Sequence, residues 1–174
     1  PNLHDGRRAA LVTFPEARAI GLLGRLESVL QGALACTIDQ TRPNPDVAEL
    51  ASLYEWFWRE HADVEVLIAV GGGSAIDTAK ALMVANDATS FSDLVAGLAG
   101  ERPFVPTRSK MLIAVPTTAG TGSEVTPWAT VWDRERQKKY SLHLPETWPR
   151  YAVVDPELML SLPAAVTLQS GLDA

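Results

Sequence analysis

Two patterns alternate along the first 120 residues. Runs in which every position is apolar or β-forming, 9–14 (AALVTF), 66–70 (VLIAV) and 111–115 (MLIAV), are separated by stretches whose apolar residues recur at helical spacing. A strand with no polar side needs cover on both faces, so the alternation predicts βαβ units on a parallel sheet. Ala17, Ile20, Leu22, Leu23, Leu26, Val29 and Leu30 mark a broad helical face that ends near Gly32. A short strand is predicted over 34–38. Pro43 and Pro45 then forbid helix until Asp46, which can cap a second helix over about 47–61. A third helix is expected over about 75–85 and a short one near 91–100. Beyond Glu124, residues 126–133 and 138–144 read as two strands joined by a charged turn, 151–155 as another short strand, and 156 onward as helix.

Gly71, Gly72 and Gly73 stand where the strand at 66–70 gives way to the third helix. Glycines there let successive backbone amides face an anion, and the helix start adds partial positive charge suited to a pyrophosphate. Ser74 is positioned to cap that helix. The spacing is not the usual dinucleotide fingerprint, because Ile76 occupies the third small position and the first strand ends in Phe14-Pro15-Glu16. A Walker loop is excluded, since no Gly-Lys-Ser/Thr follows. A second polar loop, 116–126 (PTTAGTGSEVT), also follows an apolar strand and carries the hydroxyls of Thr117, Thr118, Thr121 and Ser123. Two such loops at the carboxyl ends of parallel strands favour a nucleotide site.

Composition narrows the picture. The chain has 174 residues, 47% hydrophobic and 21% charged, with net charge −6 and no long basic run, which argues against nucleic acid as a partner. The lone Cys36 excludes an intrachain disulfide and suits a reducing cytoplasm; in a predicted strand it is most simply a small buried residue. No apolar run approaches the ~20 residues of a membrane helix. His4, His61 and His143 lack metal-ligand spacing, and the five tryptophans are scattered as packing residues would be.

GGGSAIDTAKA (71–81), AVPTTAGTGSEVT (114–126), KKYSL (138–142), VVDPELMLSLP (153–163) and RPNPD (42–46) resemble motifs of the iron-containing, group III alcohol dehydrogenases. The terminal SGLDA is similar to the start of that family's metal motif. The resemblance implies an α/β fold: an open, mostly parallel sheet with helices on both faces, a Rossmann-like nucleotide-binding domain of the dehydroquinate synthase-like superfamily. It would span 1–161, with 162–174 opening an all-helical metal-binding domain. The resemblance implies NAD or NADP as cofactor, held by Gly72, Gly73, Ser74, Asp77, Thr117, Thr118, Thr121 and Lys139, with Asn44 on the adenosine side and Leu162 near the nicotinamide. Asp173 matches the first ligand of a divalent metal, iron or zinc. Phe14 stands where NAD-preferring members often carry Asp, so NADP is admitted as well.

The expected activity is hydride transfer between NAD(P) and a small alcohol or aldehyde, in a cytoplasmic homo-oligomer that touches neither membrane nor nucleic acid. With no histidine ligands after Asp173, this chain is expected to be the cofactor-binding part of a protein about twice as long, inactive alone. Two alternatives remain: part of a dehydroquinate-synthase-like or glycerol-dehydrogenase-like enzyme, or a nucleotide-binding module without chemistry.

Overall fold

The computed structural model describes residues 3–172. In chain order it runs β1 (Ala9–Val12), a 3-10 turn (Pro15–Ala17), α1 (Leu22–Val29), β2 (Leu34–Ile38), α2 (Val47–Glu60), β3 (Val66–Gly71), α3 (Gly73–Leu82), β4 (Val84–Ala85) and α4 (Phe91–Leu98). The second half contains β5 (Arg108–Ser109), β6 (Met111–Pro116), a 3-10 turn (Ser123–Val125), β7 (Ala129–Asp133), β8 (Lys138–Leu142), a 3-10 turn (Pro145–Thr147), β9 (Tyr151–Ala152), a 3-10 turn (Pro156–Met159) and α5 (Ala164–Leu172).

Five strands form one sheet in the order β2-β1-β3-β6-β9, every neighbour parallel. Successive side chains alternate between two cores. Ala10, Val12, Leu67, Ala69, Leu112 and Ala114 face a layer built from α2, α3, α4 and the β7–β8 ribbon. Ala9, Leu11, Val66, Ile68, Val70 and Ile113 face Ala17, Leu22, Leu23 and Leu30 on the other side. The unbroken apolar strands of the sequence thus meet cover on both faces. β4–β5 and β7–β8 are antiparallel ribbons outside the sheet. Among the described residues, no helix is long and apolar enough to cross a membrane.

Several element boundaries differ from the sequence pattern. The first helical face is split, because Gly21 adopts φ 75° and separates a 3-10 turn from α1. Ile20 and Val29 consequently point to solvent. The third helix begins at Gly73 rather than Ala75, and ends at Leu82 because Val84 and Ala85 pair with Ser109 and Arg108. Its cap is Gly72, not Ser74, which lies within the first turn. The strand expected over 151–155 is reduced to Tyr151–Ala152, although the Val153 amide still donates to the Ala114 carbonyl at 2.8 Å.

Two features of the topology place the site. From β1 the chain turns to β2 on one side and β3 on the other, so the connections diverge at the β1/β3 junction and leave a crevice beyond the strand ends. β3 and β6 pair in register up to Gly71 and Pro116, so the glycine loop and the threonine loop leave the sheet side by side.

Candidate functional site

The three glycines are needed for separate steric reasons. A Cβ on Gly71 would lie 2.6 Å from the Ala75 Cβ and 3.4 Å from the Phe14 ring, so Gly71 lets α3 fold back close to the strand. A Cβ on Gly72 would come within 3.3 Å of the Thr118 hydroxyl, and one on Gly73 within 2.9 Å of the Thr121 methyl. The second and third glycines therefore admit the threonine loop. Among the described residues, the backbone amides of Gly73 and Ser74 make no hydrogen bond, as expected for the open first turn of a helix.

Around this turn, Asn44, Gly73, Ser74, Asp77, Thr121 and Lys139 line one cleft of about 380 Å³. Asn44 is held at φ 61° by its short loop, and its amide donates to the Ser74 hydroxyl at 3.1 Å, which occupies the side chain expected to cap α3. Asp77 is 9% exposed. Its Oδ2 accepts the Thr130 amide at 2.9 Å, while its Oδ1 is buried without a partner. Burial holds this carboxyl above its ordinary range, against the opposing pull of the Thr130 amide and of Lys80. Lys139 reaches over the Trp132 ring, its ammonium 5.5 Å from the ring centre.

The remaining expected residues sit differently. Gly72 and Thr118 meet at the contact between the two loops. Thr117 is buried, and its amide donates to the Gly71 carbonyl at 3.0 Å, so it ties the loops together from beneath. Leu162 lies half-buried between the 3-10 turn at Pro156–Met159 and α5, and is not among the residues that line the cleft. Asp173 lies outside the described residues. Among the described residues, no group of three or more His, Cys, Asp or Glu side chains is placed to hold a metal ion. A larger cavity of about 500 Å³ opens beyond β2, beside Asp39, Thr41, Arg42 and Trp56, and contains none of the expected residues.

Three residues of the site are not evident from the sequence pattern. Trp128 and Trp132 line the cleft. Trp128 is 52% exposed and stacks on His143 with ring centres 4.1 Å apart. Lys80 is 0% exposed, and its Nζ donates to the carbonyls of Ser123 (2.6 Å), Thr126 (2.7 Å) and Trp128 (2.7 Å). Burial pushes Lys80 down to about 8, with Asp77 and Glu124 pulling the other way. The available signal was a lysine three residues after Asp77 in an otherwise apolar helix face.

A parallel α/β sheet with a polar, glycine-gated cleft at its strand switch defines a nucleotide-binding type of domain. The profile of the iron-containing alcohol dehydrogenases matches residues 2–156, and the chain belongs to that family. It is similar to choline dehydrogenase of Bacillus subtilis (strain 168), 38% identical over 96% of this chain and 41% of that one. It is also similar to lactaldehyde reductase of Escherichia coli (strain K12), 32% identical over 97% of this chain and 44% of the relative. Among solved structures, sulfoacetaldehyde reductase from Bifidobacterium kashiwanohense in complex with NAD+ superposes with a TM-score of 0.82 at 33% identity, covering 96% of this chain and 43% of that one. The chain thus spans less than half the length of these relatives.

Proposed function

We propose that this chain is the dinucleotide-binding part of a longer oxidoreductase that moves hydride between NAD or NADP and a small alcohol or aldehyde. The observation that carries the reading is the convergence of the free Gly73 and Ser74 amides, Thr121, Asp77 and Lys139 on one cleft. The cleft fits such a cofactor in its donor and acceptor set. The helix start offers N–H donors and positive potential to a pyrophosphate. Lys139 adds an exposed cation beside the cleft, and Asp77 Oδ1, buried there without a partner, is an acceptor left to be satisfied. Phe14 brings no carboxylate to the end of β1, so nothing at that position repels a 2′-phosphate.

When bound, the nicotinamide supplies or accepts the hydride. The residues of this chain bind and orient: the α3 amides hold the anionic centre, Thr118 and Thr121 close one wall, and Trp128 and Trp132 form another. That Asp173 contributes to a metal site, and that 162–174 opens a helical domain, belong to the same proposal.

Backbone amide shifts on adding NADH test the placement. Perturbations are expected at 72–74, 117–123 and 128–132, with the Lys110 end of the sheet unaffected. Shifts confined to the cavity beyond β2 would overturn it.

A further inference from the structure

The segment between the threonine loop and β7 poses a backbone problem. Residues 123–128 contain a 3-10 turn and Pro127, so neither helix nor ladder satisfies their carbonyls. A buried carbonyl without a donor is costly. The three acceptors, on Ser123, Thr126 and Trp128, converge on the one Nζ of Lys80, and an ammonium has three donors to give. One turn earlier on α3, Asp77 takes the Thr130 amide, so the same helix grips the segment at both ends. α3 also begins at Gly73, where a Cβ would touch Thr121. A single rigid helix therefore sets the spacing between the glycine turn and the threonine loop.

We propose that Lys80 is a positioning residue that fixes the threonine loop against the glycine turn from inside the core and thereby sets how tightly the cleft grips a dinucleotide. The binding half of this inference rests on the function proposed above; the positional half does not. Lys80 touches no ligand-facing space, and its effect passes through Ser123, Thr126 and Trp128 to Thr121.

Lys110 provides an internal control at the opposite end of the sheet. It too is buried, 6% exposed, and its Nζ donates to the carbonyls of Val64 (2.6 Å) and Ala62 (3.0 Å) over the Trp58 ring. Lys80→Met and Lys110→Met in this chain both remove a buried ammonium and its carbonyl bonds, and both should lower stability. Only Lys80→Met should raise the Kd for NADH, by about tenfold or more. It alone should accelerate amide exchange at 118–130 in the absence of any nucleotide, and Lys80→Arg should restore part of both.

Equal NADH affinity in Lys80→Met and the unsubstituted chain would overturn the proposal, as would equal effects of the two Met variants on the Kd. If Lys80→Met does not fold, Lys80→Arg decides. Weaker NADH binding together with faster amide exchange at 118–130 than in the unsubstituted chain supports the tie, and no change in either refutes it. Absence of NADH binding by the unsubstituted chain would sink the function reading, while the exchange experiment would still judge Lys80.

Discussion

A methyl group at Gly71 would lie 2.6 Å from the Ala75 Cβ, whereas one at Gly73 would press on the Thr121 side chain, 2.9 Å from its methyl and 3.2 Å from its Cβ. The two neighbours should fail differently. Gly71→Ala must push α3 off the strand and should cost about 1–3 kcal/mol of stability, read by denaturant unfolding. Gly73→Ala must push the Thr121 backbone, and with it the threonine loop, away from the glycine turn, so its larger effect should be on the cleft, weakening nucleotide binding about tenfold or more. Cys36 offers a separate test. Its thiol is pushed from the ordinary 9.0 up to about 11, chiefly by burial, so little thiolate is present at pH 8. Alkylation at that pH should be roughly a hundredfold slower than for an ordinary thiol. A rate equal to that of a free thiol would show β2 more open than described. That three successive glycines mark a close approach of backbone was legible in the sequence, because such a run has few other uses. Their individual steric duties were not, since these depend on Ala75, Thr118 and Thr121 arriving from elsewhere.

Among the elements, α2 is set by a residue that also reaches beyond it. Asp46 accepts the Ala48 amide at 2.9 Å as the helix cap and, with its other oxygen, the Arg134 amide at 3.2 Å from the β7–β8 turn. Asp46→Ala should cost about 1–2 kcal/mol, measurable by thermal unfolding, and loosen the Asn44 edge of the cleft. At the other end of the chain, a Cβ on Gly120 would fall on the Ser170 carbonyl of α5, at a φ of +140° that side chains rarely adopt. Gly120→Ala should therefore undock α5 and speed proteolysis within 160–172 while leaving the sheet intact. The strands and the start of α2 were readable because all-apolar runs and a Pro-Asn-Pro-Asp segment leave few alternatives. The break at Gly21 and the early end of α3 were not. One depends on a left-handed turn, and the other on pairing between Val84–Ala85 and Arg108–Ser109, two short strands with no pattern of their own.

For the whole molecule, sheet order brings the two loops together, and the cleft follows from that adjacency. Sequence pattern located both loops, and the family resemblance added Asn44, Asp77 and Lys139; together these reach half of the residues that line the cleft. Both missed Lys80, Trp128 and Trp132 because the bonds and stacks that define their roles join positions remote along the chain, on α3, β7 and β8. The central claim is that the cleft between the glycine turn and the threonine loop binds a pyridine dinucleotide. It is tested most directly by titrating this chain with NADH and NADPH while following tryptophan emission and energy transfer to the nicotinamide. Saturable quenching, with Trp128 and Trp132 as the near donors and with the Lys139→Ala variant binding more weakly, is the predicted result. A chain that folds but shows no saturable signal with either nucleotide would contradict the account.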